Sequence, residues 1–518
     1  MKTLRSYVLD AWHEASGGFV DLVDPSTEEV VARASSRGID FGAALAHAHA
    51  AGGPALRALS FAERGQMLKA ISGVLRDNRD ELLDLSRLNN GTTTSDGTFD
   101  IDGATGVLAY YAALSRELGD SFIAEDEIIQ VGKGDGFCSR HFLLPRDGVA
   151  LHVNAFNFPA WGFAEKAACA LLAGMPVITK PATATALVTA RCVEIIVGSG
   201  ILPAGALQFI CGSTGDLLDR LGPQDVIAFT GSAHTARTLR SRAPLQKENT
   251  RFNVEADSLN AAVLAPGVED ATFALFIREV AREITHKAGQ KCTAIRRILV
   301  PADAMDSVQD ALAERLGRTI TGNPVDPEVR MGPLATRSQL DDALEGVAAL
   351  GREARIIVGD GRRTDGRGSP EGRGYFLAPT LLRTNDARTA VEAHRREVFG
   401  PVATLMPYDG SPDDAAVIAA LGGGMLVTSV YADDNEWLSR FLVRGGAWSG
   451  RVYVGSSASA SEAPGPGAAW PHSQHGGPGR AGDGAELGGR LGLRLYLQRV
   501  ALQGARRMLE AVGNTSGK

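Results

Sequence analysis

The sequence predicts an α/β protein that is built on parallel β-sheets. Short apolar runs alternate with helix-like segments between residues 145 and 260, and a second region of this kind follows from about 260 to 455. Buried strands that alternate with helices are typical of parallel sheets with both faces covered. At 518 residues the chain is too long for a single ordinary core, so we expect two or three structural units.

Residues 40 to 120 carry the spacing of amphipathic helices. In FAERGQMLKAISGVLRDNRDELLDLSRL, hydrophobic residues recur every three or four positions. We therefore predict a helical segment ahead of the first sheet.

The predicted strands are short apolar runs that are followed by polar or glycine residues. They are GVALHVN, PVITKPA, ALQFICG, DVIAFTG and NAAVLAP in the first region, and RRILVP, RIIVG and TSVYAD in the second. Parallel sheets bind ligands at the carboxyl ends of their strands, so the residues just after these runs are the first candidates for chemistry.

The segment from Ser456 to Gly489 is rich in Gly, Pro, Ala and Ser. Its composition also fits a disordered linker, but Trp470, His472 and His475 favour an ordered loop that is bent at its glycines. After it, LRLYLQRVALQG predicts a final strand that is followed by a short helix.

Composition excludes several classes of protein. A hydrophobic fraction of 44% with 22% charged residues is ordinary for a globular enzyme, and a net charge of −7 argues against a nucleic-acid partner. We see neither a secretion signal nor an apolar run long enough for a membrane span. Five cysteines without zinc-ligand spacing predict neither a disulfide framework nor a metal site. We expect a cytoplasmic enzyme.

Cys292 lies in GQKCTAIRR, where cationic residues are close in sequence. A cysteine becomes a nucleophile when nearby positive charge stabilises its thiolate, and Lys291, Arg296 and Arg297 are candidates for that role. Taken alone, the pattern fits a buried structural cysteine better than a nucleophile. The other cysteines are predicted to be packing residues: Cys138, Cys169, Cys192 and Cys211.

Two polar residues at predicted strand ends have types suited to catalysis. Glu255, in NVEADSLN, is placed to activate water as a general base, although a surface glutamate is the plain alternative. Asn157, in NAFNFPAW, offers an amide donor for an oxyanion, and its plain alternative is a loop asparagine that caps a turn.

A further set of residues is suited to a dinucleotide. The ammonium of Lys180 can meet a ribose hydroxyl or a phosphate, and Gly231 lies at a strand-to-helix turn whose free N–H groups favour a pyrophosphate. Glu397 offers a hydroxyl acceptor and Phe399 a flat apolar surface. The candidate cofactor residues are Lys180, Ala182, Thr183, Thr230, Gly231, Ser232, Glu397 and Phe399.

In this order, the motifs resemble the aldehyde dehydrogenase superfamily. NFPxW, TKPA, FTGS, an acidic strand end, GQxCxxxRR and ExFGPV follow one another, and the resemblance extends from about Asp24 to about Gln503. It implies a cofactor domain (1–125 and 147–257), a catalytic domain (258–475) and an oligomerisation element (126–146 and 490–518). It also implies a homodimer or a dimer of dimers.

The resemblance gives the three candidate catalytic residues their roles. It implies that Cys292 is the nucleophile, Glu255 the base and Asn157 the oxyanion donor. In the common family pattern two glycines closely follow the glutamate, whereas Asp257 and Ser258 stand here. This departure leaves open the local backbone geometry but not the carboxylate itself.

Several segments resemble one branch of the family, whose members act after ring opening of aromatic acyl-CoA thioesters, as in benzoate degradation. The segments are VEADSLN, GQKCTAIRR and HGGPGRAG. Some members carry an added hydratase domain, but this chain ends about fifteen residues past the last family-like strand, so we expect a stand-alone dehydrogenase.

The branch resemblance implies a CoA-linked aldehyde as the small-molecule partner, with 3,4-dehydroadipyl-CoA semialdehyde the first candidate. NAD-preferring relatives carry a glutamate where Thr183 stands, so we expect NADP as cofactor, with NAD as a second option. Three alternatives stay open: a general aliphatic aldehyde dehydrogenase, an acylating enzyme that releases acyl-CoA, and an inactive structural relative.

Overall fold

A computed structural model describes residues 1–514 of the chain. Its α-helices are α1 (Phe41–His47), α2 (Gly53–Arg57), α3 (Phe61–Asp77), α4 (Arg79–Asn90), α5 (Thr94–Leu114), α6 (Trp161–Ala173), α7 (Ala186–Ser199), α8 (Ala233–Arg240), α9 (Asp270–Thr285), α10 (Met305–Gly317), α11 (Arg337–Leu350), α12 (Val391–Arg395), α13 (Pro412–Ala420), α14 (Asn435–Gly445), α15 (Arg490–Leu493) and α16 (Arg506–Asn514). None of these helices combines the length and the apolar composition that crossing a membrane requires.

The strands form separate sheets. They are β1 (Lys2–Leu4), β2 (Ser6–Val8), β3 (Ala11–His13), β4 (Val20–Val23), β5 (Val30–Ala34), β6 (Ile123–Ala124), β7 (Ile129–Gln130), β8 (Cys138–Pro145), β9 (Ala150–Val153), β10 (Val177–Lys180), β11 (Leu207–Phe209), β12 (Val226–Thr230), β13 (Arg251–Glu255), β14 (Ala261–Leu264), β15 (Arg297–Pro301), β16 (Arg355–Val358), β17 (Thr380–Arg383), β18 (Val402–Tyr408), β19 (Met425–Tyr431), β20 (Ser449–Gly455), β21 (Gln474–Gly477), β22 (Gly484–Leu487) and β23 (Leu497–Gly504).

The first large sheet has the strand order β13-β12-β9-β10-β11-β2-β3. The five strands from β13 to β11 are parallel, and β2 and β3 extend the sheet in antiparallel fashion. Successive strand residues point to opposite faces, so Ala150 and Val177 pack in one apolar cluster while Leu151 and Ile178 pack in another. Both faces are therefore covered, as the unbroken apolar runs predict.

The second large sheet has the order β16-β17-β18-β15-β14-β19-β20 and is parallel except for the β16–β17 pair. It is also enclosed by two apolar clusters, since Ala261 and Val263 belong to one and Ala262 and Leu264 to the other. The predicted α/β class with two parallel sheets is confirmed.

A smaller antiparallel sheet joins two segments that are distant in sequence. β8 pairs with β23 along its whole length, from Cys138 opposite Gly504 to Pro145 opposite Leu497. These strands lie within the segments 126–146 and 490–518, which are predicted to form one element, although residues 515–518 lie outside the described part of the chain. The domain boundaries and the oligomeric role of this element stay predictions.

The Gly-rich segment is an ordered part of the structure. β21 and β22 form an antiparallel pair within it, and Gly477 to Gly484 make the connection. The backbone N–H of Ala256 donates to the carbonyl of Ala481 at 3.0 Å, which fixes this hairpin against the end of β13. The segment thereby brings His475 to the edge of the first sheet.

Candidate active site

The candidate residues lie at the carboxyl edge of the first sheet, where β9, β10, β12 and β13 end together. Thr230 pairs in register with Glu255, and Lys180 pairs with Val153. A cleft of about 530 Å³ opens over this edge. Its walls include Asn157, Lys180, Ala182, Thr230, Gly231, Ser232, Glu255, Cys292, Glu397 and Phe399.

Thr183 is the one candidate cofactor residue that does not line this cleft. It is half-buried at the start of a short 3-10 turn that follows Ala182. The structure therefore brings Lys180 and Ala182 to the cleft but leaves Thr183 just behind its wall.

A tight turn between α9 and β15 presents Cys292 to the cleft. Lys287, Ala288 and Gly289 have φ values of 53°, 51° and 68°, a run of left-handed conformations. A Cβ atom on Gly289 would lie 2.1 Å from the carbonyl oxygen of Gly400, so only glycine fits there. The Lys287 ammonium donates to the carbonyl of Asn157, which ties the turn to the loop after β9.

Cys292, Glu255 and His475 form a compact group, with their polar atoms within 4.8 Å of one another. The Cys292 Sγ lies 3.8 Å from His475 Nε2, and that nitrogen lies 3.0 Å from Glu255 Oε1. Thr230 Oγ1 donates to Glu255 Oε2 at 3.2 Å. The carboxylate is thus held from two sides, directly beside the sulfur.

The electrostatics of this group favour an ion pair next to a neutral thiol. Burial and the neighbouring Glu255 raise the pKa of Cys292 well above its ordinary value. Burial opposes ionisation of Glu255, but His475 outweighs it and lowers the pKa of that carboxyl. Burial likewise opposes the charge on His475, yet Glu255 raises the pKa of the imidazole. An imidazolium–carboxylate pair therefore faces the sulfur.

Of the three cations predicted to stabilise the thiolate, Lys291 and Arg297 are engaged with other partners, whereas Arg296 interacts electrostatically with Cys292. The Lys291 ammonium pairs with Glu283 at 2.7 Å, and Arg297 donates to carbonyls that include Leu259 at 2.7 Å. Arg296 donates to the carbonyls of Gly289 and Gly400, both at 2.8 Å. Buried cations must be paired or hydrogen-bonded, and each of these three has such partners. Only Arg296 braces the backbone of the turn itself.

Asn157 lies beside the cysteine turn and lines the same small pocket as Cys292. Its Nδ2 donates to the carbonyl of Gln290 at 3.0 Å, and only 5% of the residue is exposed. An amide nitrogen carries two hydrogens, so one donor fixes the side chain and the other is left for a ligand.

A buried charged cluster adjoins Glu255. Lys166 Nζ lies 3.1 Å from Glu165 and 3.2 Å from Glu486, and carboxylate oxygens of Glu165, Glu255 and Glu486 lie within 4.8 Å of one another. Burial raises the pKa of Glu486 to about 7. The charges of Glu165 and Glu255 also raise this pKa, whereas the charge of Lys166 lowers it. Like charges this close resist ionising together, so the cluster retains a proton near neutral pH.

The sequence interpretation missed four of these residues: Glu165, Lys166, His475 and Glu486. A usable signal was present in α6, WGFAEKAACALLA, where adjacent charges interrupt an otherwise apolar helix. Charged residues at positions that the helical pattern buries are candidates for a functional site. His475 was noted only as a reason for an ordered loop, and no local pattern pointed to Glu486.

The cleft fits a nicotinamide dinucleotide. Asn154 Oδ1 is buried without a hydrogen-bond partner, and Glu397 Oε1 has only an ion pair with Arg296 at 3.5 Å, so both can accept from ligand hydroxyls or an amide. Within residues 1–514, the Lys180 ammonium has no recorded hydrogen bond or ion pair, and burial lowers its pKa. These unsatisfied groups give the cleft both acceptors and a cation for a polar ligand.

Asp257 is one of the two residues that stand after Glu255 where the common family pattern has glycines, and it changes the start of α8. Its Oδ1 accepts the N–H of Ala233 at 2.8 Å, so it occupies one amide at the start of α8. Ser232 caps the same helix through Thr235 N. One donor expected for a pyrophosphate is therefore already engaged by a carboxylate, which Arg480 approaches to 3.8 Å.

Comparison with known proteins places this site in a family. The model of the aldehyde dehydrogenase family matches residues 12–498. The chain is 43% identical over 478 residues to 3,4-dehydroadipyl-CoA semialdehyde dehydrogenase from Aromatoleum evansii, covering 92% of this chain and 93% of that protein.

Solved structures of aldehyde dehydrogenases share the fold of this chain. The crystal structure of betaine aldehyde dehydrogenase from Staphylococcus aureus with NAD⁺ superposes with a TM-score of 0.84 at 25% identity, covering 97% and 95% of the two chains. An aldehyde dehydrogenase from Bacillus cereus shares the fold with a TM-score of 0.83 at 22% identity, covering 98% and 97%. The chain belongs to the aldehyde dehydrogenase family and is an NAD(P)-dependent aldehyde dehydrogenase.

Proposed function

We propose that this enzyme oxidises an aldehyde to a carboxylic acid through a thioester on Cys292. One observation carries the proposal: Cys292, Glu255 and His475 meet where the small pocket beside Asn157 adjoins the cofactor cleft. A nucleophile, a base and an oxyanion donor are thus within reach of one reacting carbon.

In the first half-reaction the Cys292 thiol loses its proton to solvent, and the thiolate attacks the aldehyde carbon. The resulting oxyanion accepts hydrogen bonds from the Asn157 amide and the backbone N–H of Cys292. One such donor is worth about 3 to 4 kcal/mol in the transition state. A nicotinamide cofactor held in the cleft would accept the hydride that the hemithioacetal carbon gives up as it becomes a thioester.

In the second half-reaction the ionised Glu255 removes a proton from a water molecule that attacks the thioester carbon. The carbon–sulfur bond breaks, the carboxylic acid leaves, and the departing sulfur takes that proton from Glu255. The retained carboxylate favours water over free CoA as the acceptor. Product analysis with and without free CoA separates the two acceptors.

His475 is proposed as a positioning residue. Its Nε2 fixes Glu255 Oε1 at 3.0 Å and places positive charge 3.8 Å from the sulfur. That charge offsets the negative field of Glu255 on the forming thiolate.

The cofactor is proposed to be NADP in preference to NAD. Thr183 carries no charge, so no carboxylate at this position repels a 2′-phosphate, and Lys180 is available as its partner. Thr183→Glu is expected to shift the preference towards NAD. A wild-type enzyme about tenfold better with NAD in kcat/KM, a difference of about 1.4 kcal/mol, would contradict this choice.

The proposed substrate is 3,4-dehydroadipyl-CoA semialdehyde, the compound in the name of the Aromatoleum evansii relative. The test compares kcat/KM for this semialdehyde with kcat/KM for a plain aldehyde of similar chain length. A clear advantage for the CoA-linked compound supports the assignment, whereas equal values return the protein to the general aldehyde dehydrogenases.

We also propose the implied organisation: cofactor domain 1–125 and 147–257, catalytic domain 258–475, and oligomerisation element 126–146 with 490–518. The β8–β23 pairing supports the last of these, because it joins its two segments. A homodimer or a dimer of dimers in a cytoplasmic setting completes the proposal. The five free cysteines fit a reducing compartment, and light scattering measures the oligomer.

A further inference from the structure

We propose that the arginine-lined cleft between α9 and α10 binds the phosphorylated adenosine end of coenzyme A when the substrate is CoA-linked. The inference rests on the proposed function and adds to it a site for the part of the substrate that does not react. The ligand expected at this site is an adenine nucleotide with several phosphates.

The cleft is a separate cavity of about 730 Å³ that is lined by α9, α10 and the segment after α10. Five arginines and one carboxylate line it: Arg278, Arg282, Arg315, Arg318, Arg330 and Glu314. The floor is apolar, formed by Ile277 and Ala281 of α9 and Ala311 of α10. A flat adenine can rest on such a floor while its phosphates reach the arginine rim.

The positive charge of the cleft is poorly neutralised. Within the described residues, only Arg318 has an ion pair, which it makes with Glu314 one helical turn away. Among residues 1–514, Arg315 forms neither a hydrogen bond nor an ion pair. Exposed arginines that repel one another cost stability unless an anion joins them, and the guanidinium fork matches phosphate oxygens.

One backbone segment connects this cleft to the catalytic pocket. Arg282 Nη1 donates to the carbonyl of Pro464 at 3.1 Å, while Thr293 Oγ1 donates to the carbonyl of Gly467 at 3.1 Å. Thr293 is the neighbour of Cys292 in sequence and lines its pocket.

The length of that segment sets the distance between the two sites. Pro464 and Gly467 are three residues apart, so their backbones are separated by at most about 11 Å. A ligand whose aldehyde meets Cys292 can therefore extend along this segment towards the arginines. Binding energy gained there is remote from the reacting carbon and can position the aldehyde.

The main test removes two charges without disturbing a backbone contact, because no recorded hydrogen bond joins Arg315 or Arg318 to the segment 456–469. R315Q/R318Q is compared with R76Q/R444Q, which removes two exposed arginines elsewhere. We expect R315Q/R318Q to raise KM for the CoA-linked semialdehyde about tenfold or more, with kcat/KM for the plain aldehyde unchanged. R76Q/R444Q should leave both substrates unaffected.

A second variant should have the opposite effect on KM. Glu314→Gln removes the one carboxylate of the cleft and should lower KM for the CoA-linked substrate. Direct binding of 3′-phosphoadenosine 5′-diphosphate, followed by calorimetry, should weaken in R315Q/R318Q and strengthen in Glu314→Gln. A different result would overturn the assignment to the CoA of the substrate. In that case the probe alters turnover of the plain aldehyde, and KM for the CoA-linked substrate is the same in R315Q/R318Q as in the wild type. The ligand of the cleft would then be a free nucleotide.

The outcomes also separate this inference from the proposed function. If the wild type does not favour the CoA-linked semialdehyde over the plain aldehyde, the proposed substrate is wrong. If the wild type favours it but R315Q/R318Q retains the full preference and binds the probe as the wild type does, the CoA lies elsewhere and the cleft assignment is wrong.

Discussion

At the scale of single residues, Glu255 and His475 are the polar side chains directly at the Cys292 sulfur. Burial and Glu255 hold the pKa of the Cys292 thiol high, and His475 places a positive charge beside it. Such an arrangement keeps the cysteine neutral until a substrate arrives, which limits unwanted oxidation of an accessible thiolate.

His475→Gln tests this balance. Glutamine can still donate to Glu255 but carries no charge, so the pKa of Cys292 should rise further when the positive charge 3.8 Å from the sulfur is removed. The rate of Cys292 alkylation by iodoacetamide as a function of pH measures the shift. His472→Gln, an exposed histidine of the same loop, is the matched control. An alkylation profile unchanged in His475→Gln would remove His475 from this role.

At the scale of elements, the turn from His286 to Cys292 determines where the sulfur of Cys292 lies. Its left-handed residues reverse the chain within a few positions, and its closest backbone approach is Gly289 against Gly400. The ordered hairpin of β21 and β22 delivers His475 from the opposite side. The site is therefore assembled from loops that rigid strands and helices hold.

Gly289→Ala is expected to displace this turn. The added methyl meets a backbone oxygen at 2.1 Å in a left-handed conformation, so unfolding stability should fall by about 1 to 3 kcal/mol and kcat at least about tenfold. Thermal melting and steady-state kinetics measure both effects.

The control for this change is Gly106→Ala. Gly106 lies on the exposed face of α5 with open space around it, and alanine there should be neutral or stabilise by about 0.5 to 1 kcal/mol. Equal activity in the two variants would mean that the turn does not set the position of the cysteine.

The longer strands are more predictable from the sequence than the short strands that join them into sheets. Strands such as β9, β10 and β12 are apolar runs bounded by glycine or proline, and local pattern alone identifies them. The short edge strands β6 and β7 carry no such signal, because they depend on pairing with β8. Each of these strands has two residues, which is too short for an alternation of apolar and polar residues to be recognised.

At the scale of the whole molecule, the site joins parts that are far apart in sequence. Asn157 and Glu255 come from the first sheet, Cys292 from the connection into the second, and His475 from the late hairpin. Motif order predicted the first three residues, because their types recur with the chemistry. The partnership of Glu255 with His475 spans 220 residues, and no local pattern reveals a contact of that separation.

The buried cluster gives the whole protein a pH-dependent stability. The pKa of Glu486 is raised by burial from 4.5 to about 7, so the folded state holds a proton that the unfolded chain releases in that interval. Stability should therefore fall as pH rises from about 4.5 to 7 and level off above. Glu397, whose pKa is also raised to about 7, chiefly by burial, acts in the same direction.

Glu486→Gln removes one of these contributions. The melting temperature of the variant should depend less steeply on pH between about 4.5 and 7 than that of the wild type. Glu462→Gln, at an exposed carboxylate, should reproduce the wild-type slope. A steeper slope in Glu486→Gln would contradict the assigned direction of the shift.

The covalent intermediate on Cys292 is tested most directly in Glu255→Gln. Its amide cannot accept the proton of water, so the enzyme should stop after hydride transfer. Mixing the variant with aldehyde and NADP should release one reduced cofactor per active site in a burst. Mass spectrometry should find the acyl group on the peptide that contains Cys292, and Cys292→Ala should show neither signal. A full burst with no acyl group on that peptide would contradict the thioester mechanism.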